Sequence, residues 1–183
     1  MPQSAIMKIL LTLSLSLPLI SGLVFYVPNF SDSSNAYAQN FKNYSNSFYS
    51  VRYPSKWIID KSTTKEYLML WSRLPSSNRT PGQSPLDLIK TDISVNRNVS
   101  FDSAVRNLGR SGGKKLSQQN VEINGIKAVQ SFWSDLPFDF PNSISTIFQY
   151  GENEVVFATS YYDERNRSAK NNILQLHNSF RKY

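Results

Sequence analysis

The chain has 183 residues, with 20 Lys and Arg against 13 Asp and Glu, one His, no Cys and a formal charge of +7. That length fits one ordinary domain rather than two. Zero Cys excludes a disulfide framework, a thiolate metal site, a Cys nucleophile and a lipid-modified N-terminal Cys. A single His excludes two-His metal motifs and leaves any Ser-His-Asp chemistry dependent on His177.

Residues 1–38 differ from the rest. They carry one Lys (Lys8), one Asp (Asp32) and no Arg, and the run from Ile9 to Val27 has no charge at all. A basic start, an apolar run and the small-x-small triplet Ala36-Tyr37-Ala38 predict a secretory signal peptide over residues 1–38, with Met7 a candidate start and Gln39 the new N-terminus. Retained, the uncharged run is long enough to act as an anchor, although Pro18 and Gly22 interrupt it. The positive excess belongs to the exported part, where it meets no genome, so the expected partners are acidic protein or lipid surfaces and not nucleic acid. Absence of Cys suits a bacterial or organellar lumen better than an animal secretory route.

The polar stretch 39–47 predicts a short flexible lead. Tyr49, Val51 and Tyr53 then alternate with Ser50 and Arg52 as a strand that Pro54 stops. Tyr67, Met69 and Trp71 alternate with Leu68 and Leu70, the pattern of a strand buried on both faces. Leu74 to Pro85 is rich in Pro and Ser and predicts a long loop, followed by a strand over Leu86–Val95. Ser100 is a candidate N-cap for a helix over Phe101–Arg110, with Phe101, Ala104, Val105 and Leu108 on its apolar face and Gly109, Gly112 and Gly113 to end it. Asn124-Gly125 between alternating apolar residues predicts a type I′ hairpin, whose second strand runs to about Trp133. Leu136 to Asn142 is an aromatic, proline-bounded loop. Ser143–Tyr150 and Glu154–Tyr162 form another hairpin around Gly151, and Ile173, Leu176, His177 and Phe180 predict a closing helix over 167–182. Six or seven strands joined mostly by hairpins, with a middle and a C-terminal helix, make an α+β fold around a mostly antiparallel sheet.

Few residues point to chemistry. As a general base or metal ligand, His177 needs a partner, and none is adjacent in sequence, so it reads as a helix-flank imidazole favoured by the helix dipole. Asp163-Glu164 and Glu152 with Glu154 flank turns, where acids are ordinary, and Asp163 is placed to cap the last helix. The glycine-rich run 109–115 follows a helix and precedes a strand, the wrong order for a phosphate cradle. Its charges matter as surface: Arg106, Arg110, Lys114 and Lys115 are candidates for a basic patch meeting an acidic partner, against the plainer alternative of a solvated basic face. Phe138 and Phe140, between Pro137 and Pro141, form a docking knob if exposed and a cap on the core if folded back. Tyr53, Trp57, Tyr67 and Trp71 read as core. No catalytic set, metal site or cofactor emerges.

The order of these parts resembles the PsbP family, the extrinsic photosystem II subunit and its exported relatives in cyanobacteria and plastids. The likeness rests on the opening from Phe48 to Trp57 with its Tyr-Pro-x-x-Trp turn, on Ile89 to Asn107, on the Glu122–Ala128 hairpin and on the closing helix with Ser179-Phe180. It implies a PsbP-like domain over 48–183, lumenal or periplasmic, acting without catalysis as an accessory to the oxygen-evolving complex or to another membrane complex. Peripheral association through that complex's acidic surface follows from it, with no cofactor. The chain lacks a Cys to acylate and offers only His177 to a metal, which implies a paralogue rather than the subunit itself. The competing classes are a small-ligand or lipid carrier or a hydrolase with a pocket between sheet and helix, and a membrane-tethered lumenal domain.

Overall fold

A computed structural model describes residues 40–76, 85–108, 112–137 and 139–183. The predicted signal peptide with its cleavage point, most of the 74–85 loop, Gly109, Arg110 and Phe138 lie outside the described residues. The elements in chain order are β1 (Phe41–Ser45), β2 (Tyr49–Pro54), β3 (Ile58–Ile59), β4 (Tyr67–Trp71), β5 (Lys90–Arg97), α1 (Phe101–Asn107), β6 (Lys114–Ile123), β7 (Ile126–Ser134), β8 (Asn142–Gln149), β9 (Glu154–Tyr162), α2 (Ala169–Asn178) and β10 (Arg181–Lys182). Seven strands form one sheet in the order β3-β4-β5-β9-β8-β7-β6, and a second sheet has the order β1-β2-β10. Every pairing is antiparallel, so the α+β antiparallel class holds.

Local rules account for the elements. Ser100 caps α1, its side chain accepting from the Ser103 N–H at 3.3 Å. Asn124 (φ 52°) and Gly125 (φ 79°) both adopt positive φ, as a type I′ turn requires. A Cβ on Gly125 would meet nothing within 4 Å, so conformation rather than space calls for glycine there. In β2, Tyr49, Val51 and Tyr53 enter the core while Arg52 stays exposed.

On one face of the large sheet the core joins α2 and the small sheet. Phe180 stacks between Phe148 of β8 at 4.1 Å and Tyr49 of β2 at 5.3 Å, and Ile93, Ile144, Ile173 and Leu176 fill in around them, all fully buried. Each such side chain contributes about 1.5–3 kcal/mol relative to exposure. On the opposite face Phe101 and Ala104 of α1 pack against Val129, Ile147 and Val155.

Four expectations need correcting. The lead over 39–47 contains β1, which pairs along its whole length with β2. Helix α1 ends at Asn107, with Leu108 already extended, short of the predicted Arg110. The closing helix stops at Asn178, because Ser179 Oγ turns back to Leu176 O at 2.6 Å and the chain leaves as β10. Asp163 does not cap that helix; Ser168 holds the cap position and Asp163 forks to Arg165.

Candidate binding surface

The long edge of the large sheet is β6, paired on one side only, with β7; the opposite edge is the two-residue β3. Its residues from Lys114 to Asn120 are all exposed. The two-residue turn makes Ile123 and Ile126 the first hydrogen-bonded pair. Alternation then turns the backbone groups of Val121 and Gln119 toward β7, and those of Glu122, Asn120 and Gln118 outward. Among the described residues nothing pairs with that outer row. Long edges are ordinarily blunted by Lys, Pro or a bulge. Here Lys114, Lys115 and a break in register between Lys115 and Ser117 guard only the start, and Ser117 to Ile123 holds no Pro and no cation. An open row of donors and acceptors is the geometry that takes up an added strand.

Lys114 and Lys115 therefore open an exposed edge. Lys115 Nζ donates to Gln118 Oε1 at 3.1 Å and lies 5.8 Å from the Trp133 ring centre. Gly113 (φ 95°) sets where β6 begins: a Cβ there would come within 2.6 Å of the Leu136 side chain and 3.0 Å of a backbone oxygen. Arg106 is exposed in the last turn of α1, which packs over β8 and β9 on one face of the sheet, so it does not share the strand with the lysines. The described ion pairs tie Asp87 to Arg73, Asp92 to Lys90, Glu66 and Glu154 to Arg97, and Asp163 to Arg165. None of them takes Arg106, Lys114 or Lys115. Phe140 is buried, its ring 6.1 Å from that of Tyr161, so it caps the core and offers no knob.

His177 is fully buried, and its partners come from strands. Nδ1 lies 2.8 Å from Thr146 Oγ1, and Nε2 lies 3.0 Å from Ser160 Oγ, itself 2.6 Å from Thr91 Oγ1. Gln130 donates to Thr146 Oγ1 at 3.3 Å, and Gln119 on β6 donates to Gln130 at 3.2 Å. A polar seam thus runs from β5 through the core to the edge. Burial pulls the imidazole pKa down to about 3, so the ring is neutral and is held by strand hydroxyls rather than by the helix dipole that the sequence reading invoked. Imidazole beside hydroxyl is the raw material of nucleophilic catalysis. Here Thr91, Thr146, Ser160 and His177 are all buried, and among the described residues both ring nitrogens meet hydroxyls rather than a carboxylate, so the seam ties α2 to the central strands.

The turn acids separate. Asp163 is buried against Arg165, whose guanidinium and backbone hold the carboxyl below its usual range. Glu154 pairs with Arg97, and Glu152 stands exposed in its turn. Among the described residues no three acidic or His side chains gather to hold a metal. Where a carrier or hydrolase would need a pocket, between α2 and the sheet, Ile173, Leu176, Phe148 and Phe180 fill the space. The open edge is the feature that sequence reasoning missed, and its one signal was a ten-residue strand whose first seven residues hold a single apolar side chain, the exposed Leu116.

No family model and no curated protein matches the sequence. Solved structures do. The solution structure of cyanobacterial PsbP (CyanoP) from Synechocystis sp. PCC 6803 covers 84% of this chain and 99% of its own, at 12% identity and a TM-score of 0.46. A crystal structure from Bacteroides thetaiotaomicron VPI-5482 covers 78% of this chain at 10% identity and a TM-score of 0.49; the match spans 48% of that protein. A Pseudomonas aeruginosa protein of unknown function covers 74% of this chain and 94% of its own, at 14% identity and a TM-score of 0.44.

Proposed function

We propose that this chain is an exported, non-catalytic binding module that docks on the acidic surface of a membrane protein complex. The observation that carries it is β6: an open strand edge that begins with two exposed lysines in none of the described ion pairs. Charge steers the encounter, and the open backbone row supplies the contact. The burial of His177 and the filling of the space beneath α2 favour docking over hydrolysis or carriage. The sequence resemblance to the PsbP family makes photosystem II the first complex to test.

The experiment is retention on membranes of the source cells across a salt series. The Debye length shrinks from about 10 Å at 0.1 M to about 3 Å at 1 M, so wild type is released as salt rises. Replacing Arg106, Lys114 and Lys115 together by Glu moves release to lower salt while the domain stays folded. Retention that ignores both salt and the triple replacement rejects the proposal.

A further inference from the structure

At the far end of β6, about 30 Å from Lys114 by the rise of a strand, the Asn124-Gly125 turn closes one side of a cavity of about 450 Å³. Arg52 of β2, Arg181 of β10, Gln175 and Asn178 of α2, and Phe41 of β1 complete its walls together with Ser179. Among the described residues no acidic side chain lines it, and neither arginine joins any of the described ion pairs.

The walls are tied to one another. The Arg52 N–H donates to Ser179 Oγ at 2.7 Å, and the Arg52 guanidinium lies 5.4 Å from the centre of the Phe41 ring. Asn124 Nδ2 donates to Asn178 O at 3.1 Å and to Phe180 O at 2.7 Å. These bonds also remove an obstacle. A helix C-terminus normally turns bare carbonyls, and so partial negative charge, toward whatever lies beyond it. Here Asn124, Ser179 Oγ and the Phe180 N–H engage the oxygens of Asn178, Leu176 and His177. The lining residues bring together two arginines, three side-chain amides (one of them, Asn124, spent on the helix end), a hydroxyl and one aromatic ring.

We propose that this cavity binds a small organic acid carrying two or more carboxylates. A guanidinium matches a carboxylate with two parallel hydrogen bonds, and two arginines on separate strands provide for two such groups. The volume lies in the range of small-molecule sites, and Phe41 offers a surface to the carbon skeleton. The site stands apart from the lysines of the β6 edge and does not depend on the docking proposal.

The test is calorimetric titration of the full chain with citrate, and separately with inorganic phosphate, at constant ionic strength. The expected result is one citrate per chain, bound more tightly than phosphate. Arg52→Gln or Arg181→Gln weakens it tenfold or more, and Lys114→Gln with Lys115→Gln leaves it unchanged. Arg52→Lys, which keeps the charge and loses the fork, weakens it too, with an unaltered urea midpoint certifying the fold. No citrate binding, phosphate binding as tight as citrate, or an equal loss in the lysine variant overturns the proposal.

Discussion

Strands β8 and β6 draw on similar polar residues and meet opposite fates. In β8, Asn142, Ser143, Ser145 and Thr146 are buried and only Gln149 is exposed; in β6, Ser117, Gln118, Gln119 and Asn120 are exposed and only Ile123 is buried. The difference is position. β8 has a strand on either side, α2 over one face and α1 over the other. Its buried polar groups find protein partners: Thr146 meets His177, Ser145 meets Thr159 at 3.2 Å, and Asn142 accepts from the Glu164 N–H. β6 has one neighbour strand, so beyond the Gln119–Gln130 and Lys115–Gln118 bonds its exposed side chains and its outer backbone row are left to water or to a partner. A polar residue in a central strand fixes which element packs over it, whereas at an edge it leaves the edge soluble and available.

The comparison breaks most sharply at the seam. His177→Ala leaves a cavity and takes one of two partners from each of the hydroxyls of Thr146 and Ser160, and we expect it to cost about 2–5 kcal/mol in urea unfolding. Next in size is a pair of proline replacements on β6. Gln119→Pro removes a backbone bond to β7 and the side-chain bond to Gln130 and costs about 1–3 kcal/mol. Asn120→Pro deletes an outward donor, leaves stability close to wild type, and lowers membrane retention. Equal destabilisation by the two would mean that the outer row is not open.

The seam also predicts a pH dependence. His177 binds its proton at about 3 when folded, against about 6.5 in the unfolded chain, so protonation favours unfolding. Its contribution is complete above about pH 6.5 and drains as pH falls toward about 3, by at most about 1.4 kcal/mol per pH unit. Urea midpoints from pH 7 to 4 should fall more steeply for wild type than for His177→Gln, and parallel curves would count against a neutral buried ring. The smallest effect is at the guard residues. Lys115→Ala should shift membrane retention by less than about 1 kcal/mol, as exposed charges do.

What the sequence made legible was local. The Asn124-Gly125 turn, the Ser100 cap and the hairpin around Gly151 are decided by residues within a few positions of one another, and all three appear where expected. β1 and β10 were not legible, because they are short and polar and become strands only through β2. The partners of His177 were equally hidden, since Thr146 and Ser160 lie 31 and 17 residues away. Of the candidate site, Lys114 and Lys115 could be named, but not the edge they open, because a strand's own sequence does not say whether it has a second neighbour. Phe140 was undecided for the same reason: only the fold brings Tyr161 to its ring.

The bond between Arg52 and Ser179 joins residues 127 positions apart, and Phe180 closes the three-ring stack with Tyr49. The small sheet therefore cannot be completed until residues past 180 have left the ribosome. Contacts of such long range also slow folding, because loop closure must come before its reward. A chain whose early strands wait on its latest ones lingers without a finished core. Until Phe180 and β10 arrive, Tyr49 and Phe148 lack the ring that joins them and β2 lacks one of its two neighbours.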